Sequence, residues 1–297
     1  MKTYLKLCLT AMFWGGAFIA GKHVSDHLGP FAIAFLRFAL AAVFLLAMVW
    51  RRYGMLPRPD REQALAILLL GATGIFAYNV LFFKGLSLIE AGRASVIIAT
   101  SPVFIAVGSV ILFREKLGWL RSLGVLLAIL GAAVVVSRGD LRQTVAGGAG
   151  LGEVLIFGCV LSWAAYSLIG KTVMRDLSPL VAVCYSTVAG SVALFVAACF
   201  AGLGRDVSRA TPLDWLAIVY MALFATVLSF VWFYEGIREI GPTRASLCIN
   251  FVPVFAVVLA WLFLREPLTA SLALGTALVL SGTYLTNTAS RPPTKPN

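Results

Sequence analysis

Ten stretches of this sequence are each close to the length of a bilayer crossing and nearly free of charge: residues 5–21, 30–50, 64–84, 92–113, 119–137, 152–171, 180–201, 213–235, 244–264 and 270–287. A spanning helix needs about 20 apolar residues, so short loops remain and there is no room for a sizeable soluble catalytic domain. Lipid offers no partner to an open backbone, and the segments are too long and too uniformly apolar for barrel strands, so the pattern predicts helices. Turn and charge signals mark the breaks, among them Asp26 to Pro30, Ser178-Pro179, Gly241-Pro242 and Arg265-Glu266-Pro267. Only 12% of residues are charged, about half the share in a soluble domain.

The loop cations set the expected orientation. With the N-terminus inside, 15 Lys and Arg fall on the cytoplasmic side and 8 on the outer side, while Arg37 lies within the second span. That bias predicts a multi-pass protein of the inner (plasma) membrane with both termini cytoplasmic. The cations never gather on one face, so no nucleic-acid partner is expected. Lys2 and Lys6 before the first apolar run would also suit a signal peptide, but that run belongs to an internal repeat, which argues against its removal. The five cysteines all lie in apolar stretches without a C-x-x-C spacing, and read as small buried hydrophobes.

The two halves of the chain resemble each other. Trp14, Gly21, Lys22 and Pro30 recur 149 positions later as Trp163, Gly170, Lys171 and Pro179. Gly85, Arg93-Ala94-Ser95, Pro102-Val103-Phe104, Arg114-Glu115, Gly124 and Gly131 recur 151 positions later as Gly236, Arg244-Ala245-Ser246, Pro253-Val254-Phe255, Arg265-Glu266, Gly275 and Gly282. Matches this numerous at two nearly equal offsets point to two copies of one unit, each with five predicted spans. Five is odd, so the second copy enters the bilayer from the opposite side. The expected fold is therefore an all-α membrane protein, ten transmembrane helices in two inverted five-helix repeats, a common plan in transporters. The expected division is residues 1–140 for the first repeat, 141–151 for a flexible linker, and 152–297 for the second repeat with a short cytoplasmic tail. Loop charges split on the inversion: four arginines between spans two and three against two in the equivalent loop agree with it, while the exchange of Lys84 for Glu235 runs against it.

The sequence resembles the EamA family of the drug/metabolite transporter superfamily from about Leu5 to Thr286. The resemblance rests on Trp14-Gly15-Gly16, Leu36-Arg37-Phe38, the passage from Gly85-Leu86 through Arg93-Ala94-Ser95 into Pro102, and the Arg114-Glu115 and Arg265-Glu266 pairs with the glycine-rich helices after them. It implies a carrier of small metabolites, often an exporter of amino acids or related compounds, with other members moving drugs or nucleotide sugars. It does not identify the substrate.

In such a carrier the site is expected near mid-membrane between the repeats, lined by the few polar and aromatic side chains of the spans. Arg37 sits about 10 Å deep at a 1.5 Å rise per residue, where a guanidinium costs at least about 2.5 to 3.5 kcal/mol. Its planar fork suits a substrate carboxylate; it would equally serve as a structural cation paired with carbonyls or Glu90. Tyr78 and Asn79 in span three, Ser95 near Pro102, Asn250 near Pro253, and Ser229 in span eight are the polar candidates. Trp14 and Trp163 fall near the middle of their spans, away from the interfaces where Trp usually gathers, and either line the cavity or pack helices. Pro102 and Pro253 each remove a helix donor, which suits paired hinges or a simple packing distortion. The glycines at 71, 74, 124 and 131 are expected to let helices approach closely.

No G-x-x-x-x-G-K-[ST] pattern supports ATP hydrolysis. The 13 acidic residues fall in loops or within about a turn of helix ends, which favours facilitated efflux or exchange over proton coupling. His23 and His27, the only histidines, are expected in one short loop, and no His, Cys or acidic cluster is expected to bind a metal or act as a general base. The leading expectation is export of amino acids or close derivatives by alternating access, with no enzymatic reaction and no cofactor. The alternative within transport is efflux of hydrophobic or cationic drugs, for which Arg37 is unhelpful. A membrane enzyme lacks its reactive cluster, and an ion channel lacks its ring of charges. The expected partners are a small-molecule substrate and the lipid bilayer; a monomer suffices, and a dimer stays open.

Overall fold

A computed structural model of the chain describes residues 2–114, 118–138, 150–173, 178–240 and 250–288. Residues 141–149 of the linker expected at 141–151, Glu115, the Arg244-Ala245-Ser246 motif and the tail from 289 lie outside them. The described residues form helices joined by short turns, with no strand among them. In chain order the helices are α1 (Lys2–Ser25), α2 (Pro30–Tyr53), α3 (Arg61–Leu70), α4 (Tyr78–Leu86), α5 (Ala91–Ile98), α6 (Ser101–Phe113), α7 (Trp119–Val136), α8 (Leu151–Val173), α9 (Pro179–Ala201), α10 (Leu203–Arg209), α11 (Pro212–Ala222), α12 (Ser229–Ile240), α13 (Val252–Leu264) and α14 (Ala270–Thr288). Wider π-helical turns at Gly71–Ala77 and Leu223–Leu228 join α3 to α4 and α11 to α12.

Among the described residues, eight stretches are long and apolar enough to cross a membrane, among them Arg61–Leu86, Ala91–Leu112 and Pro212–Phe233, and the apolar helices Val252–Leu264 and Ala270–Thr286 are shorter. Large apolar side chains face outward, with Phe200 90%, Trp119 74% and Ile111 70% exposed. On a water-soluble protein such a surface would aggregate; on helices of this length it is the lipid-facing side.

Local chemistry sets the helix ends. Pro30, Pro179 and Pro212 occupy the first turns of α2, α9 and α11, where a missing N–H costs nothing. Thr211 and Asp214 form a reciprocal capping box at α11, as Asp60 and Gln63 do at α3. Gly54 and Gly202, at φ 69° and 98°, end α2 and α9 in the left-handed region that an L side chain disfavours. Arg114 and Arg265, equivalent positions of the sequence repeat, end α6 and α13 in that same region.

Helix contacts come in pairs related by the repeat. α1 packs on α12 and α13, and its sequence mate α8 packs on α4 and α6. α2 meets its mate α9 directly, with Leu45 and Val49 in one cluster with Val181 to Cys184. α7 meets its mate α14 through glycines: a Cβ on Gly124 would fall 2.6 Å from the Gly282 carbonyl oxygen, and one on Gly131 would fall 2.8 Å from that of Gly275. Glycine therefore acts as the packing element expected of it.

The fourth expected span, 92–113, is not one helix. It breaks at Ala99 and Thr100, both near ψ −9°, and α6 restarts with Pro102 in its first turn. Proline cannot donate to the Ile98 carbonyl four residues earlier. The Ser101 hydroxyl donates to that oxygen instead, at 2.6 Å, and Thr100 Oγ1 donates to the Ile97 oxygen at 2.7 Å. Glu266, just after α13, caps the start of the broken helix, accepting from Ala91 N at 2.7 Å and Gly92 N at 2.9 Å. Burial raises its carboxyl pKa, and the two N–H groups work in the opposite direction.

Candidate functional site

A cavity of about 230 Å³ opens among α1, α2, α4, the α5–α6 break, α8 and the turn before α13. A single ordered water needs only about 10–15 Å³, so the space suits a small metabolite. Of the eight side chains expected at the site, seven line it: Trp14, Arg37, Tyr78, Asn79, Ser95, Trp163 and Asn250. Pro102 and Pro253 line it as well.

Ser229 does not. Its hydroxyl donates to the Phe224 carbonyl at 2.6 Å inside the wider turn, and its side chain is fully buried. Depth along a span, which suggested it, says nothing about which way a residue faces.

Arg37 is 9% exposed, and among the described residues it is the only charged one lining the cavity. Its Nε and Nη2 donate to Thr226 Oγ1 at 3.3 and 3.2 Å, its Nη1 donates to Asn79 Oδ1 at 3.5 Å, and its guanidinium lies 4.9 Å from the Phe38 ring centre. Every one of these partners is neutral. Glu90, the structural partner considered from the sequence, lies 3.7 Å from Arg93 instead.

Both acceptors are held by the wider turns. A π-helical turn leaves carbonyls poorly placed for the usual ladder and occurs often at functional sites. Asn79 Nδ2 donates to the Ile75 oxygen at 2.9 Å, and Thr226 Oγ1 donates to the Met221 oxygen at 2.9 Å. Each side chain so turns an acceptor oxygen toward Arg37 while satisfying a loosened backbone carbonyl. The isolated arginine was legible in span two; Thr226, a polar residue of span eight ranked behind the deeper Ser229, pairs with it across 189 residues.

Aromatic rings form the wall. Tyr78 packs on Trp163 with ring centres 5.6 Å apart, and Trp163 stacks on Tyr166 at 5.2 Å. Trp14 donates its indole N–H to the Ala225 carbonyl at 2.8 Å and packs against Phe230 and Phe233. Its donor is thus engaged, leaving its apolar surface for the cavity. Ser95 likewise donates to the Gly92 oxygen at 2.7 Å. Thr187, which the sequence reading passed over, lines the cavity with a buried hydroxyl that has no hydrogen-bond partner among the described residues. Nothing in the sequence separates it from Ser186 and Ser191, which offer hydroxyls in the same span.

One expectation about histidine is overturned. α1 runs on to Ser25, so His23 lies in its last turn and not in a loop, and Asp214 of α11 lies within 3.4 Å of both imidazoles. A cluster with metal-ligating chemistry therefore exists, outside the cavity.

Comparison with known proteins follows the same lines. A family model, the EamA-like transporter family, matches residues 1–137 and 150–288. An uncharacterized transporter of Archaeoglobus fulgidus is 30% identical over 96% of this chain and 98% of its own. The uncharacterized transporter YyaM of Bacillus subtilis is 29% identical over 95% of this chain and 92% of its own. A probable terminal-alkyne amino-acid exporter of Streptantibioticus cattleyicolor is 28% identical over 96% of this chain and 93% of its own. One protein crystal structure superposes with a TM-score of 0.65 at 20% identity, covering 97% of each chain, which shows a shared fold.

Proposed function

The chain belongs to the EamA-like transporter family, and we propose that it exports small carboxylate-bearing metabolites, foremost amino acids or derivatives with apolar or aromatic side chains. Arg37 carries this reading: a buried cation whose hydrogen-bond acceptors among the described residues are neutral oxygens, facing a chamber without an acidic side chain among those residues. An arginine left uncompensated in a low-dielectric space attracts an anion, and its planar fork matches a carboxylate. The rings of Trp14, Tyr78 and Trp163 would receive the rest of the molecule, with Asn79, Asn250 and Ser95 orienting it.

The architecture we assign is ten transmembrane helices in two inverted five-helix repeats, residues 1–140 and 152–297 joined by a linker at 141–151. The paired contacts α1–α13 with α8–α6 support it, as do the crossed glycines of α7 and α14. Alternating access would rock one repeat against the other, with the helix break before Pro102 and the first turn of α13 at Pro253 as hinges. The loop cations favour the plasma membrane with both termini cytoplasmic. Relatives named as transporters point to a non-enzymatic role.

The aromatic wall would also receive a hydrophobic cation, but Arg37 would repel its charge. Solute counterflow separates the two readings. Proteoliposomes preloaded with unlabelled amino acids should accumulate labelled amino acid in a saturable manner, unaffected by a lipophilic cation. Accumulation of the cation alone would overturn the carboxylate reading.

A further inference from the structure

At the far end of α1, away from the cavity, Asp214 poses a problem that the transport reading leaves unsolved. Its side chain is fully buried. Oδ2 is saturated by the capping box, accepting from Thr211 N at 2.9 Å and Thr211 Oγ1 at 2.8 Å. Oδ1 is buried with no hydrogen-bond partner, and so is His23 Nε2. Buried polar atoms are nearly always satisfied, and an exception calls for an explanation.

The surroundings of Oδ1 supply one. His23 Nε2 lies 3.2 Å from it and His27 Nδ1 lies 3.4 Å from it, neither oriented as a hydrogen bond. A tetrahedral ion bound at about 2.0–2.2 Å holds its ligand atoms roughly 3.3–3.5 Å apart. The three donor atoms all fall within 4.8 Å of one another, and the His27 ring is half exposed, edge-on to His23 with ring centres 5.1 Å apart. The last turn of α1 presents His23, and the turn that follows it presents His27.

We propose that His23, His27 and Asp214 bind one divalent first-row transition metal ion, with Zn2+ the best match. Two imidazoles and one carboxylate are a borderline donor set, suited to Zn2+ and unlike the all-oxygen shells of Ca2+ or Mg2+. Three protein ligands leave a fourth position for solvent. The ion ties the end of α1 to the start of α11. α1 carries Trp14 to the cavity, and α11 leads into the turn whose Thr226 holds Arg37, so the ion braces the two helices that position the chamber.

The test uses the full chain in detergent, purified without a histidine tag and stripped with chelator, because His23 and His27 are the only histidines present. Zn2+ is titrated in competition with a chromophoric chelator. One equivalent should bind to the wild type, and His27→Ala and His23→Gln should each weaken binding at least tenfold. His27 is half exposed, so its variant keeps the fold even if Asp214→Asn does not. Thermal unfolding gives a second readout: saturating Zn2+ should raise the midpoint of the wild type and leave that of His27→Ala unmoved. Absence of Zn2+ binding by the wild type, or equal binding by the folded histidine variants, overturns the proposal.

Discussion

Replacing Arg37 with glutamine should leave the fold nearly untouched while disabling carboxylate recognition. Burying the guanidinium costs at least about 2.5 to 3.5 kcal/mol on membrane-insertion scales. Against this stand three hydrogen bonds, two of them to the same Thr226 hydroxyl and all to neutral oxygens. At about 1 kcal/mol net each they offset the burial and little more. Glutamine can still donate to Thr226 or Asn79, so stability should change by less than about 1 kcal/mol, a midpoint shift of a few degrees. A bound carboxylate would lose a charge-assisted contact of about 1.5 to 3 kcal/mol, or about 10- to 150-fold in apparent affinity. Thermal unfolding in detergent and the concentration dependence of counterflow in proteoliposomes measure the two effects separately. A stable, normally inserted variant whose half-saturating concentration stays within threefold of wild type would refute the clamp. A variant that fails to insert would show that the arginine is there for the fold.

Four other substitutions follow from the same geometry. Trp163→Ala should weaken transport of aromatic substrates by about 2- to 12-fold, from the roughly 0.5–1.5 kcal/mol of an aromatic pair, and should barely change that of alanine in competition assays. Thr226→Val removes the acceptor of two guanidinium donors and should cost about 1–3 kcal/mol in thermal unfolding, together with substrate affinity; unchanged behaviour in both would show that the hydroxyl does not position Arg37. Gly282→Ala would bring a Cβ within 2.5 Å of the Ala128 backbone nitrogen and should destabilise by about 1–3 kcal/mol, whereas Gly118→Ala, with nothing within 4 Å, should be neutral.

The helical layout was legible in the sequence because spanning length and apolar composition are local properties. Arg37 stood out for a related reason, since a cation inside an apolar run has few explanations. The glycines of α7 and α14 announced close packing, and the structure adds that Gly124 meets Gly282 and Gly131 meets Gly275. What stayed hidden depends on azimuth and on distant pairing. Thr226 and Ser229 are three residues apart, yet one reaches Arg37 and the other donates back to the Phe224 carbonyl of the wider turn between α11 and α12. No periodicity marks that turn. The break at Ala99 and Thr100 was anticipated only as a kink at Pro102; the serine and threonine hydroxyls that satisfy the freed carbonyls let the helix stop outright. Nothing near Asp214 in sequence reveals the two histidines at and just after the end of α1.

The central claim is that the chamber recognises a carboxylate through Arg37 and an apolar body through its aromatic wall. Its most direct test is competition in counterflow between a matched pair, phenylalanine and the amine that lacks only its carboxylate, against labelled phenylalanine in proteoliposomes. The account predicts that unlabelled phenylalanine competes at least tenfold better than the amine in wild type, and that Arg37→Gln abolishes the difference. Equal competition by the two compounds in wild type would contradict it.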